Sequence, residues 1–248
     1  MNRFANRTAL VTGGSTGIGR AIANRLAAEG ADVVITGRRE APLKEAASQH
    51  EKISYVVADV GRAEDVARTL QEVNARHGRL DVLVNNAGVA PIAPLRELDM
   101  DQYDHTFEVN VRGLVDTTRQ ALPLLQATKG AIVNISSSVA LRPLANMSIY
   151  SASKAAVSAL TKSWGKELAR DGIRVNSVIV GPIETPIYQK TQLSQAQAQA
   201  HIDAVRAMVP LGRFGDGDEV AAMVAFLASD EARFVTASEY AVDGGSAA

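Results

Sequence analysis

The chain has 248 residues, of which 46% are hydrophobic, enough to bury a sizeable core in one large α/β domain or two small ones. Its 26 lysine and arginine residues nearly balance 27 acidic residues, so the net charge of -1 gives no global field that would recruit nucleic acid or an acidic membrane surface. The sequence has no cysteine, which excludes disulfides and thiolate chemistry and favours the reducing cytoplasm as its location.

Seven short apolar runs alternate with stretches of helical spacing, a pattern typical of strands separated by helices. The predicted strands are Thr8–Thr12, Asp32–Thr36, Ile53–Val57, Leu80–Val84, Ala131–Ile135, Arg174–Val180 and Glu239–Val242. Strands that are apolar on both faces imply a parallel sheet covered by helices on each side. We therefore predict an α/β fold with a doubly wound, seven-stranded, Rossmann-like sheet, in a single domain over residues 1–248.

Metal and membrane binding are both disfavoured by the sequence. The four histidines, His50, His77, His105 and His201, form no spacing that binds a transition metal. No run of about 18 apolar residues occurs, and the first apolar run is too short for a signal sequence. We expect a protein that binds no metal, nucleic acid or membrane and that acts on a small molecule.

The first predicted strand leads into GGSTG at residues 13–17, which fits two different motifs. As a nucleophile elbow it would make Ser15 a hydrolase nucleophile, but an elbow needs an oxyanion-hole loop from an earlier strand. As a dinucleotide turn it uses every glycine: Gly13 for the tight turn, Gly17 for close approach of pyrophosphate and Gly19 for close helix packing. We favour the dinucleotide turn, and the serine hydrolase stays a remote alternative.

Arg38 and Arg39 follow the second predicted strand, where dinucleotide sites place the group that contacts the adenosine ribose. An acidic residue there would bind the 2′-hydroxyl of NAD and repel the 2′-phosphate of NADP. Although the two arginines could simply be solvated surface residues, their charge predicts NADP(H) as the coenzyme.

Tyr150 and Lys154 are four residues apart in a stretch of helical spacing, so they share one helix face. A nearby ammonium stabilises the phenolate and lowers the phenol pKa toward neutrality, which suits an acid or base. Ser137 and the segment 85–88 follow predicted strands, at the sheet edge where ligands bind. Asn110 lies within a helical stretch, where it is either an ordinary hydrogen-bonded asparagine or part of the site.

In combination these motifs closely resemble the short-chain dehydrogenase/reductase family over nearly the whole chain. The matching segments are Thr12–Gly19, Asp59–Val60, Asn85–Gly88, Asn110, Ser137, Tyr150 with Lys154, the Gly181-Pro182 turn with Thr185, and Val242–Gly245. Two positions depart from the family pattern. Gly181-Pro182 stands where members often have Pro-Gly, and Thr16 replaces the basic residue that many NADP-dependent members carry in the glycine-rich turn.

The resemblance implies that Tyr150 protonates the substrate carbonyl oxygen and that Lys154 lowers the phenol pKa and holds the nicotinamide ribose. It further implies that Ser137 orients the carbonyl and that Asn110 anchors a water in the proton relay. Asp59 and Val60 are implied at the adenine, and Ile183 and Thr185 at the nicotinamide carboxamide. The expected coenzyme-binding residues are Gly13, Ser15, Thr16, Gly17, Ile18, Gly19, Arg38, Arg39, Asp59, Val60, Asn86, Ala87, Gly88, Tyr150, Lys154, Ile183 and Thr185.

The segments expected around the substrate are mostly apolar, with Arg142 as an exception; the apolar residues are Val139, Leu141, Leu144, Met147, Ile149 and Tyr188. We therefore expect NADPH-dependent, reversible reduction of a ketone or aldehyde with a hydrophobic body, as in the carbonyl reductases and alcohol dehydrogenases of this family. Alternatives are a 3-oxoacyl-carrier-protein reductase of the same family and a non-catalytic nucleotide sensor. Residues 185–210 are expected to form a substrate lid, and the resemblance implies a homotetramer.

Overall fold

The structure is a computed structural model that describes residues 2–184 and 203–248. Its strands are β1 (Thr8–Thr12), β2 (Asp32–Gly37), β3 (Ile53–Val57), β4 (Val82–Asn85), β5 (Ala131–Ser137), β6 (Arg174–Val180) and β7 (Glu239–Val242). They form one parallel sheet in the order β3-β2-β1-β4-β5-β6-β7. The predicted seven-stranded Rossmann-like sheet is confirmed, although β4 begins two residues later than predicted.

The described helices of eight or more residues are α1 (Gly17–Ala28), α2 (Glu40–Ala47), α3 (Ala63–His77), α4 (Met100–Phe107), α5 (Gly113–Thr128), α6 (Ser148–Glu167) and α7 (Gly217–Ala228). Between α4 and α5 the segment Glu108–Arg112 forms a π-helical turn. No helix in the described ranges combines the length and apolar character needed to cross a membrane.

Helices cover both faces of the sheet, because the apolar side chains of the strands point alternately to each face. On one face, Ile22 and Leu26 of α1 pack with Val224 of α7 in a core that also includes residues of α2. On the other face, Val73 of α3 and Leu125 of α5 pack in a second core. Every residue of β1 and of β5 is buried. These two strands flank the central strand β4, so their carboxyl ends lie near the middle of one edge of the sheet.

A buried chain of hydrogen bonds fixes the two central strands to the helices that cover them. The Asn85 Nδ2 atom donates to Thr118 Oγ1 at 3.0 Å and to Asn134 Oδ1 at 2.9 Å. Asn134 Nδ2 in turn donates to Thr161 Oγ1 at 2.9 Å. These buried hydrogen bonds link β4 and β5 to α5 and α6, although Asn85 Oδ1 has no partner among the described residues. In a low-dielectric interior such bonds favour one register, so the four elements present their ends in a fixed relative position.

Candidate active site

The glycine-rich turn between β1 and α1 has the close packing that the sequence predicts. Gly13 and Gly17 have φ values of +66° and +53°, a region that favours glycine. A Cβ atom on Gly19 would lie 2.3 Å from the carbonyl oxygen of Gly13. The turn and the first turn of α1 therefore fit together only with glycine at position 19.

The amino terminus of α1 is left without a capping side chain. Thr16 at the N-cap makes no side-chain hydrogen bond, and the first turn contains no acidic residue. By contrast, Asp216 and Glu219 form a reciprocal capping box at the start of α7. The first N–H groups of α1 and their partial positive charge are thus available to an anion such as a pyrophosphate.

Ser15 lies in this turn, half-buried and beside the end of β2, where a Cβ atom on Gly37 would be 3.5 Å from its Oγ. Of the described histidines, none hydrogen-bonds Ser15, and His201 lies outside the described residues. None of the described histidines therefore serves as a base for a Ser15 nucleophile.

The loop after β4 is tied to the glycine-rich turn by hydrogen bonds. Asn86 Nδ2 donates to the carbonyl oxygens of Thr12 and Gly13 at 2.9 and 3.1 Å. The Thr12 Oγ1 atom accepts from the backbone N–H groups of Asn86 and Ala87, both at 3.0 Å. Thr12 therefore links the glycine-rich turn to the loop after β4. The sequence motif contains Thr12 but does not indicate this role.

Arg38 and Arg39 leave the end of β2 as exposed side chains, and Arg39 occupies the N-cap position of α2. Neither forms an ion pair with any residue in the described ranges, whereas the neighbouring Glu40 accepts a hydrogen bond from Tyr55 Oη at 3.2 Å. Two guanidinium groups are therefore unpaired beside the glycine-rich turn.

Asp59 and Val60 follow the end of β3 in a tightly held loop. The Asp59 Oδ1 atom accepts from the N–H of Gly61 at 3.0 Å, and the Asp59 N–H donates to Asp65 Oδ2 at 2.8 Å. A Cβ atom on Gly113 would lie 2.7 Å from the carbonyl oxygen of Val60, so this loop rests directly on the start of α5. The loop therefore lies at the same sheet edge as the glycine-rich turn.

Asn110 lies in the π-helical turn with 1% of its surface exposed. Its Oδ1 atom accepts from the N–H of Val89 at 2.8 Å, and its Nδ2 atom donates to the Val89 carbonyl at 2.9 Å. The same Nδ2 atom donates to Ser153 Oγ at 3.0 Å. Asn110 thereby joins the loop after β4 to α6. The two interpretations of this residue are compatible, because its side chain is fully hydrogen-bonded and also lies in the candidate site.

Tyr150 and Lys154 share one face of the first turns of α6, as the spacing predicts. The Lys154 Nζ atom lies 5.9 Å from the centroid of the Tyr150 ring. Ser153, which the sequence analysis did not single out, donates from its Oγ to the Tyr150 carbonyl oxygen at 2.7 Å and also accepts from Asn110. Its spacing of three residues from Tyr150 is the one signal that could have identified it.

The Lys154 side chain is 5% exposed, and its Nζ donates to the carbonyl oxygen of Ile135 at 2.8 Å. Burial lowers the pKa of Lys154 to about 8. A Cβ atom on Gly88 would lie 3.5 Å from this Nζ and 3.3 Å from Asn110 Oδ1, so Gly88 lies between the two polar groups. The ammonium therefore reaches the point where the loop after β4 meets α6.

Ser137 is the last residue of β5 and is 8% exposed, and its Oγ accepts from the N–H of Val139 at 3.4 Å. The preceding Ser136 Oγ donates to the carbonyl oxygen of Lys154 at 3.2 Å, which holds this strand end against α6. The structure thus brings Asn110, Ser137, Tyr150 and Lys154 to the carboxyl ends of β4 and β5, where parallel sheets bind ligands.

The Gly181-Pro182 turn, one of the departures from the family pattern, is held by its neighbours. A Cβ atom on Gly181 would lie 2.5 Å from the Asp243 Cα, so this position requires glycine. The carbonyl of Pro182 accepts from the N–H of Gly215 at 3.0 Å. Ile183 is 4% exposed and packs into the core, and its backbone forms a parallel bridge with Gly215. Thr185 lies outside the described residues.

The predicted substrate segments are adjacent, since the Ala93 N–H donates to the Asn146 carbonyl oxygen at 2.8 Å. Leu141 and Leu144 are 52% and 43% exposed, whereas Val139 is buried and belongs to the protein interior. Arg142 Nη1 donates to the Ala248 carbonyl oxygen at 2.8 Å. Tyr188 and most of the expected lid, residues 185–202, lie outside the described residues.

A family model and several known proteins match nearly the whole chain. A family model described as enoyl-(acyl carrier protein) reductase matches residues 13–247. The 3-oxoacyl-(acyl-carrier-protein) reductase of Thermotoga maritima is 36% identical over 248 residues, covering 98% of each chain. The cis-4-hydroxycyclohexanecarboxylate dehydrogenase of Sinomonas cyclohexanicum is 41% identical over 248 residues, covering 98% of this chain and 97% of that protein.

A solved structure is similar over the same length. The 3-ketoacyl-(acyl-carrier-protein) reductase of Brucella melitensis, complexed with NADH, has a TM-score of 0.92 to this chain at 30% sequence identity. The match covers 99% of this chain and 100% of the other.

Proposed function

Because the chain belongs to the short-chain dehydrogenase/reductase family of oxidoreductases, we propose that it reversibly reduces a ketone or aldehyde with a hydrophobic body, using NADPH. The observation that carries this proposal is the convergence of Asn110, Tyr150 and Lys154, linked through Ser153, at the carboxyl edge of the sheet.

Tyr150 is proposed as the general acid that gives its phenolic proton to the carbonyl oxygen during reduction. Its position as the third residue of α6 and the neighbouring Lys154 ammonium both stabilise the phenolate that remains. Ser137 is proposed to donate a hydrogen bond to the same carbonyl oxygen and so orient it. In the reverse direction the phenolate accepts the proton of an alcohol.

Asn110 is proposed to anchor a water that returns a proton toward Lys154. Because its side-chain amide already bonds Val89 and Ser153, we assign this water to the main chain of the π-helical turn. Lys154 is also proposed to hold the nicotinamide ribose with the N–H groups that do not bond Ile135.

The residues at the ends of β1 to β4 are suited to holding a dinucleotide. The uncapped start of α1 and the close Gly13–Gly19 contact suit a pyrophosphate. Ser15, Thr16, Gly17 and Ile18 are proposed to bind near the pyrophosphate, and Asp59 and Val60 near the adenine. Asn86, Ala87 and Gly88 are proposed to flank the adenosine and ribose, and Ile183 and Thr185 to contact the carboxamide. When bound, a nicotinamide coenzyme would supply or accept the hydride.

The preference for NADPH over NADH rests on charge. Arg38 and Arg39 are exposed and unpaired within the described part of the chain, so they can bind a 2′-phosphate. The Brucella melitensis relative was solved with NADH, so the charge of these two arginines alone carries the proposed preference for NADPH.

Further features of the proposal follow from the family. We propose that residues 185–210 act as a lid over the substrate, that the protein is a homotetramer and that it works in the cytoplasm. Sizing in solution tests the assembly.

A second candidate is reduction of a 3-oxoacyl group on acyl carrier protein, because two similar proteins have that activity in their names. Its proposed catalytic groups would be the same, so only substrate comparison separates the two.

The deciding experiment measures turnover by the purified protein with NADPH and NADH over ketones of increasing apolar bulk, a carboxylate-bearing ketone and a 3-oxoacyl thioester. We expect the bulky apolar ketones with NADPH to give the highest kcat/KM. Preference for the thioester would favour the second candidate, and preference for the anionic ketone would contradict the apolar substrate. Coenzyme binding without any turnover would instead indicate a nucleotide sensor.

A further inference from the structure

A polar cavity of about 170 Å³ opens at the amino ends of β1, β4, β5 and β6, on the sheet edge opposite the candidate active site. Its charged lining residues are Arg7, Arg79, Lys129, Arg174, Asp81 and Asp230. Four cationic groups thus face two carboxylates, and the lining has two positive charges in excess.

Both carboxylates are already paired. Arg79 binds Asp81 through Nε and Nη2 at 2.8 and 2.6 Å, and Asp81 also accepts from the Thr8 N–H at 2.9 Å. Arg7 Nη2 binds Asp230 at 2.5 Å. Across the described ranges, no carboxylate lies within ion-pair distance of the other two cations, which supply the excess charge.

Arg174, the first residue of β6, is one of these cations. Its guanidinium donates to the carbonyl oxygens of Leu227 and Ser229 at 2.7 and 3.1 Å, which fixes it in the cavity wall. Burial lowers the pKa of Arg174, the charge of Asp230 opposes that shift, and the charge of Arg7 adds to it. A partly buried guanidinium is unfavourable when, among the described residues, no carboxylate lies within ion-pair distance, so a bound anion would stabilise this arrangement.

Lys129, the other cation, terminates α5 in the left-handed conformation, with a φ of +51°. Its side chain is exposed, and no hydrogen bond or ion pair is formed by its ammonium within residues 2–184 and 203–248. All three of its N–H donors are available to a ligand at the mouth of the cavity.

We propose that this cavity is a binding site for a phosphate-type oxyanion, either inorganic phosphate or the phosphate group of a monoester. A phosphate monoester carries about −1.5 to −2 charges at neutral pH, which matches the two excess positive charges. Guanidinium forks together with an ammonium are the side chains that bind phosphate most effectively. The site is separate from the proposed coenzyme site, since the two lie on opposite edges of the sheet.

The test is a thermal-unfolding and calorimetric titration with inorganic phosphate, with chloride at equal ionic strength as the reference. The titration is carried out with a saturating concentration of NADP⁺ or NAD⁺, whichever binds more tightly. The bound coenzyme then prevents phosphate from binding at the start of α1. We expect Tm to rise by about 3 °C at a phosphate concentration tenfold above Kd. A titration with glycerol 3-phosphate then separates the two sources, because tighter binding than phosphate identifies a monoester.

Lys129→Glu should weaken phosphate binding at least tenfold, because it removes one excess charge and adds a repelling carboxylate. Lys44→Glu, at an exposed lysine of α2, makes the same charge change elsewhere and should leave the affinity unchanged. A crystal soaked in phosphate should show the ion beside Arg174 and Lys129. The proposal would be overturned if chloride and phosphate raised Tm equally, or if Lys129→Glu and Lys44→Glu bound phosphate with equal affinity.

Discussion

Lys154 donates from its buried ammonium to the carbonyl oxygen of Ile135 at 2.8 Å, which joins α6 to β5 beneath Tyr150. No carboxylate in the part of the chain that the structure describes lies within ion-pair distance of this ammonium. Burial alone therefore lowers its pKa to about 8, and the lysine remains mostly protonated at neutral pH. The positive charge beside Tyr150 is retained at the cost of some stability.

Because burial lowers the pKa of Lys154, we predict that the coenzyme-free protein becomes more stable as the pH rises above about 8. Between about pH 8 and the ordinary lysine value of 10.5, folded Lys154 loses its proton while the unfolded lysine keeps it. The unfolded state then binds more protons, so rising pH favours the folded state, by about 1 kcal/mol per pH unit from this group. Urea unfolding across that window measures it.

Lys154→Met should remove this contribution, and Lys166→Met, an exposed lysine of the same helix, should retain it. If the two variants showed the same dependence on pH, the buried lysine would not be its source.

Tyr150→Phe removes the proposed proton donor while keeping the ring. We expect kcat for carbonyl reduction to fall by about 10²- to 10⁴-fold, the usual contribution of a general acid, and coenzyme affinity to fall much less, although Tyr150 is also expected to contact the coenzyme. Tyr103→Phe is a matched control, because Tyr103 packs on Phe107 in α4 with ring centroids 4.7 Å apart. Steady-state kinetics and coenzyme titration give both quantities, and full activity of Tyr150→Phe would refute the assignment.

Arg38→Asp tests the proposed coenzyme preference. Replacing an exposed guanidinium with a carboxylate should lower the ratio of kcat/KM for NADPH to that for NADH at least tenfold, because a charge-assisted bond of about 1.5–3 kcal/mol is lost and repulsion is added. Arg170→Asp makes the same charge change at an exposed residue after α6. An unaltered ratio in Arg38→Asp would mean that this arginine does not contact a 2′-phosphate.

Gly19→Ala tests the close packing of the glycine-rich turn. The added methyl group would lie 2.3 Å from the Gly13 carbonyl oxygen, so the turn must shift and coenzyme affinity should fall at least tenfold. Ala28→Gly, at the exposed end of the same helix, should lower stability by less than about 1 kcal/mol without changing coenzyme affinity. Normal coenzyme binding by Gly19→Ala would show that this packing is not needed for the site.

The sheet could be predicted from the sequence because buried parallel strands are continuous apolar runs. β1, β3, β6 and β7 have the predicted bounds. β4 was predicted to begin at Leu80, which is fully buried but precedes the strand, because burial and hydrogen-bonded pairing need not begin at the same residue.

The candidate site could be predicted only in part. Side chains named from motifs, such as Asn110 and Lys154, are brought together as expected, but their acceptors are main-chain oxygens of Val89 and Ile135. Any residue type offers such an oxygen, so no sequence pattern identifies it. The cavity around Arg174 was likewise invisible, because its charged residues come from separate parts of the chain.

The π-helical turn at Glu108–Arg112 accommodates one extra residue between two ordinary helices. The spacing of apolar residues in the sequence does not predict this turn. Deleting a single residue there would let α4 and α5 join as one regular helix, and each later side chain would rotate by about 100° about the axis. The helix itself would survive such a deletion. A deletion before residue 110 would turn its amide away from Val89 and Ser153, so the length of this turn, as well as its asparagine, holds the loop after β4 to α6.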